Sequence, residues 1–108
     1  MLEADLLRYA RIKLDLSGLV YFRVNNSPGL FNKGGNIRFK KSSMSGFPDY
    51  GGYTPKGFGW ALELKTIKGH VALHQQEWID KINGTNAIAE VARCFEDIDN
   101  FIERMKNR

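Results

Sequence analysis

The apolar positions change period along the chain, and each change marks an element. Residues 2–16 carry Leu7, Ala10 and Leu14 on one stripe, with Arg8, Arg11 and Asp15 on the opposite side. That spacing predicts an amphipathic helix. LVYFRV, residues 19–24, is β-branched and aromatic and predicts a strand. Residues 25–46 are rich in Gly, Ser and Asn, and a short strand is expected only at NIRFK. A second long strand is expected over residues 59–67. In LHQQEWIDKI, Gln75, Trp78, Ile79 and Ile82 fall on one helical face, and Gly84 stands where a helix should stop. NAIAEVA is short and nearly continuously apolar, the pattern of a buried strand. Phe95, Ile98, Phe101, Ile102 and Met105 space out a final helix.

A strand, a helix and a second strand thus follow one another near the end within about twenty residues, which favours a parallel crossover. The expected class is α/β or α+β, with a small mixed sheet flanked by helices. At 108 residues and 43% hydrophobic, the chain reads as one domain spanning 1–108. Charges run through MLEADLLRYARIKLDLSG, so neither a signal peptide nor a membrane span is expected there. The single cysteine, Cys94, permits no internal disulfide and no Cys-based zinc cluster.

Charge adds a direction to this picture. Residues 1–70 hold eleven Lys/Arg against five Asp/Glu, and residues 71–108 hold five against seven. The basic excess is interleaved with Tyr21, Phe22, Phe31 and Phe39. Such a side suits a polyanion such as nucleic acid, although a solvated basic surface would look the same.

The candidate chemistry lies in GFPDYGGYTPKGFGWALELK, residues 46–65. Strand alternation puts Trp60, Leu62 and Leu64 on one face and Ala61, Glu63 and Lys65 on the other. Charges in a core strand are costly unless they are paired or bind something. Asp49 is separated from Glu63 by thirteen intervening residues and follows a proline that stiffens its approach. YGGY and KGFG would let the chain double back and bring Asp49 beside Glu63. Two converging carboxylates make a hard-oxygen site suited to Mg²⁺ or Mn²⁺, and a neighbouring lysine can hold a water or offset charge on a phosphate. Glu63 and Lys65 alone fit an exposed ion pair equally well.

Two helical positions bear on that choice. Glu3 shares the apolar stripe of the first helix, although a first-turn Glu also favours the helix dipole. Gln75 faces inward on its helix, with Gln76 toward the flank. His70 and His74 have the spacing of a metal pair but lack the intervening Glu of HExxH, and they read as surface residues. Cys94 reads as a core thiol. No glycine-rich stretch fits a P-loop or a Rossmann fold.

Together these residues resemble the PD-(D/E)xK nuclease superfamily, and its VRR-NUC branch in particular. GFPD matches that branch's Gly-x-Pro-Asp, ELK its Glu-x-Lys, and GHVALHQQEW its Gly…Gln-x-x-Trp segment. Glu3 matches the helical Glu near the domain start, and AEVARCFEDIDNFI resembles the last strand and helix. The resemblance implies a restriction-endonuclease-like αβββαβ core and a Mg²⁺- or Mn²⁺-dependent endonuclease. Small phage members of this type act as homodimers on branched DNA such as four-way (Holliday) junctions, in the host cytoplasm. By the same resemblance Asp49, Glu63 and the main-chain carbonyl of Leu64 ligate the metal, with Glu3 joining directly or through water. Lys65 positions the attacking water, and Gln75 orients the lysine or that water. Lys33, Arg38, Lys40, Lys41, Lys56, Lys68 and Arg23 are the expected phosphate contacts. The long, lysine-bearing 25–46 segment departs from the pattern. A non-catalytic nucleic-acid-binding module and a flap-, nick- or end-processing nuclease are the alternatives.

Overall fold

The computed structural model describes residues 1–24, 29–33, 36–40 and 45–108, with side chains for 1–24 and 45–108. The first helix, α1, spans Glu3–Ser17 and ends at Gly18, whose φ of 78° is the left-handed conformation that glycine adopts without strain. Four strands follow: β1 (Val20–Arg23), β2 (Gly29–Lys33), β3 (Asn36–Lys40) and β4 (Tyr50–Tyr53). Then come β5 (Gly59–Leu64), α2 (Leu73–Asn83), β6 (Ile88–Ala92) and α3 (Phe95–Lys106).

The main sheet has the order β1-β4-β5-β6. β1 and β4 are antiparallel, as are β4 and β5, and β6 joins parallel to β5 after the crossover through α2. β2 and β3 form a separate antiparallel ribbon inserted between β1 and β4. Without that ribbon the chain order is α1-β1-β4-β5-α2-β6, the expected αβββαβ succession, and α3 closes it. The class is α+β, with helices flanking a mixed sheet.

The two faces of the sheet bury different things. On one, Trp60, Leu62 and Leu64 pack with Leu6, Ala10 and Leu14 of α1 and with Ile98, Phe101, Ile102 and Met105 of α3. On the other, α2 lays Ile79 over Ala61 and Ala89. The Trp60/Leu62/Leu64 alternation read from the sequence therefore sets which helices lie where.

Three expectations about local structure change. Strand β5 ends at Leu64 rather than running on to residue 67. The Lys65 N–H still reaches Ala92 O at 3.1 Å, but Gly69 N then bonds back to Thr66 O at 3.0 Å and turns the chain. A second strand, β2, accompanies NIRFK. YGGY, expected as a bend, is strand β4: a side chain at Gly52 would strike Val20 O and the Trp60 ring, and one at Gly51 would press on Phe22. These glycines admit aromatic rings across the strand. The reversal itself falls at Gly57, with φ 88°, where Thr54 N bonds to Phe58 O at 2.7 Å.

Candidate functional site

Asp49 is delivered by a strap, residues 45–48, that docks on α2. The indole N–H of Trp78 donates to Ser45 O at 3.2 Å, and its ring meets Phe47 edge-on, 5.0 Å between centroids. Gly46 has a φ of 88°, and any side chain there would run into His74. Pro48 is fully buried. Each residue of GFP thus has a mechanical reason to precede the aspartate. Beyond it, the Tyr50 hydroxyl donates to Leu7 O at 3.0 Å and ties β4 to α1.

At the end of this strap Asp49 Oδ2 accepts the Leu64 N–H at 2.8 Å. That bond pins it beside β5, where its carboxyl neighbours that of Glu63. Glu63 is 4% exposed. The Gln75 amide donates to Glu63 Oε1 at 3.4 Å, while its own oxygen accepts the Ala72 N–H at 2.8 Å. Gln76 instead reaches Asp80 along the exposed side of α2. Ala61 and Ala89 leave room beneath the helix for the acid and the amide.

The electrostatics of the pair are unusual. Glu63 is pushed up to about 8, first by burial, then by the charge of Asp49 and the hydrogen bond between them; Lys65 pulls it back, and Glu3 adds to the rise. Near neutral pH Glu63 therefore favours its protonated form. Glu3 lies at the exposed start of α1, at the open end of the buried Leu6/Ala10/Leu14 stripe, and reaches the pair through its field. Asp49, Glu63, Lys65, Gln75 and Glu3 are thus drawn to one end of the sheet, together with the Leu64 main chain.

This donor set fits a divalent cation. Two neighbouring hard-oxygen carboxyls, one of them pushed toward its protonated form chiefly by burial and then by the other's charge, form a charge conflict that such an ion relieves. Among the described residues no group of three or more His, Cys, Asp or Glu side chains could hold a metal ion. A site with two carboxylates leaves coordination positions for substrate oxygens and water, as Mg²⁺ commonly requires.

The expected phosphate contacts separate. Lys68 is exposed in the turn after β5, beside Met1, Thr66 and Arg93 around a small cavity. Lys56 is exposed in the β4–β5 turn, where its N–H bonds to Arg108 O at 3.0 Å, at the far end of the hairpin from Glu63. Lys33, Arg38 and Lys40 belong to the β2–β3 ribbon; their side chains, and all of Lys41, lie outside the described residues. Arg23 is engaged at the site itself, with Nη1 3.5 Å from Asp49 Oδ1.

Arg93 was not foreseen. Its Nη1 donates to Thr66 O and Gly69 O, both at 2.7 Å, and holds the turn that follows Lys65. It is 24 residues from the nearer of those acceptors, so no local pattern announces it. His70 and His74 are exposed, and Cys94 is half-buried at the N-cap of α3 rather than in the core. No family model, curated protein or solved structure matches the chain. Among the described residues no helix is long and apolar enough to cross a membrane.

Proposed function

We propose that this protein is a metal-dependent, VRR-NUC-type endonuclease that hydrolyses phosphodiester bonds in branched DNA, including four-way junctions. One observation carries the reading. A buried Glu63 lies beside Asp49 and accepts a hydrogen bond from Gln75, at the strand end that also presents Lys65. An apolar core has no use for this cluster, since two touching carboxyls cost stability unless a cation joins them.

Asp49, Glu63 and the Leu64 carbonyl, with Glu3 at the rim, would hold Mg²⁺ or Mn²⁺. When bound, the ion supplies positive charge that polarises the phosphate and acidifies water. Lys65 holds the attacking water and offsets charge on the reacting phosphate. Gln75, fixed through Ala72, keeps Glu63 and the water in register. Lys68 and the lysines and arginine of the 33–41 segment grip the backbone without choosing sequence. A pair of symmetric incisions at a junction calls for a homodimer. The basic DNA-facing side and the single cysteine fit work in a host cytoplasm.

The test is a panel of duplex, flap, nicked and four-way-junction DNA, incubated with Mg²⁺ or Mn²⁺. Metal-dependent incision of the junction, absent in Asp49→Ala and Lys65→Ala proteins that still bind DNA, is the expected result. Binding without incision at any metal concentration would make the protein a DNA-binding module. Incision confined to flaps, nicks or ends by a protein that light scattering finds monomeric on DNA would make it an end-processing enzyme.

A further inference from the structure

Arg23 closes strand β1 and lies beside Asp49, and its guanidinium is held by main chain. Nη1 donates to Val24 O at 2.6 Å and to Asp49 O at 2.8 Å. The group packs over the Tyr50 ring, 5.4 Å from its centroid, and that ring is buried. Among the described residues Nε and Nη2 have no hydrogen-bond partner, and 46% of the side chain is exposed. A planar fork with one nitrogen anchored and its remaining donors open is shaped to take two oxygens of one anion.

Its place in the sheet narrows the anion. β1 lies beside β4 and β4 beside β5; Arg23 stands opposite Tyr50 in that register, and its guanidinium reaches the Asp49 carboxyl from the β1 side. Asp49 thus has a cation on its β1 side, and Lys65 acts on Glu63 from β5. A cation this near the acids is poorly placed for a distant phosphate along the duplex. It is well placed for the phosphate at the acids themselves.

Resting on the nuclease reading above, we propose that Arg23 is a catalytic residue. It donates hydrogen bonds to the non-bridging oxygens of the scissile phosphodiester, across the site from Lys65. In the step it serves, the oxygen of water forms a bond to phosphorus, the bond to the leaving sugar oxygen breaks, and that oxygen takes up a proton. Arg23 stays protonated throughout and only offsets negative charge on the phosphate oxygens.

Arg23→Gln and Arg23→Lys are compared with wild type and with Lys68→Ala on a cleavable junction. For each, kcat, KM, Mn²⁺ affinity by electron paramagnetic resonance without DNA, and Tm are measured. The expected result is a fall in kcat of about a hundredfold in both Arg23 variants. KM, Mn²⁺ affinity and Tm should stay near wild type, and methylguanidinium should partly restore an Arg23→Ala enzyme. Lys68→Ala should change KM and its salt dependence instead. If Arg23 only braced Asp49, Mn²⁺ affinity or Tm would fall in both variants, and that result overturns the proposal. So does a kcat within twofold of wild type. In either case cleavage by the wild type, abolished by Asp49→Ala, leaves the nuclease reading standing; a wild-type protein inert on every DNA overturns both.

Discussion

The two faces of β5 carry opposite designs within six residues. Trp60, Leu62 and Leu64 look into a continuous apolar layer formed by α1 and α3, where each leucine is fully buried. Ala61 and Glu63 look toward α2, where small residues leave a space and an acid is buried in it. The first face holds the sheet together. The second gives up part of that stability to keep a carboxyl out of water beside another carboxyl. Strand alternation allows both because neighbouring residues never compete for one environment.

Substitutions on the two faces should therefore fail in opposite ways. The largest effect is expected on the α2 side: Glu63→Gln should reduce cleavage at least about a thousandfold, judged against typical losses of a transition-state stabiliser. It should leave the metal-free protein as stable as wild type or more so at pH 9. A Glu63→Gln protein that cleaves normally would erase the distinction between the faces. On the α1/α3 side, Leu62→Ala should cost about 2–5 kcal/mol in urea unfolding. Its kcat per folded molecule should be unchanged, and a small stability loss would mean that this layer repacks easily.

The pH dependence of stability sharpens the contrast. Glu63 has an ordinary value of 4.5 and sits near 8 in the folded protein. The folded state thus holds this proton more tightly than the unfolded chain. The resulting stability is fully present below about pH 4.5 and is lost as pH rises through 8. Without divalent cation, Tm should fall across that window; Glu63→Gln should flatten the fall, and Mg²⁺ should oppose it. A flat wild-type curve would show that Glu63 ionises freely. The smallest effect separates the two ends of the hairpin. Lys68→Ala should lower the slope of log affinity against log salt by about one, while Lys56→Ala should leave it unchanged.

Much of this architecture was legible because it depends on local periodicity. The alternation in GWALEL placed both faces of β5, and the spacing of Gln75, Trp78, Ile79 and Ile82 set the inward side of α2. YGGY misled because glycine marks a turn and also marks a strand position crossed by a ring, and only the partner strand tells these apart. Spacing places Glu3 in line with the stripe that buries Leu6, Ala10 and Leu14, but it does not show that the first residue of the helix stands beyond the core and stays exposed. Arg23 and Arg93 act on atoms distant in sequence, 26 and 27 residues away at the far acceptors, which a single chain does not reveal.

The base of the inserted segment has a consequence for how this chain can change. The Val24 N–H bonds to Asp49 O at 2.9 Å, so the segment leaves and re-enters the sheet at one point. Closing a longer or shorter loop across such a joint alters the entropy only slowly with length. A change in the length of the insertion between β1 and β4 would therefore leave the strap, the carboxyls and the sheet beneath as they are. Because the joint is made by Asp49's own carbonyl, the aspartate would keep its place through such a change.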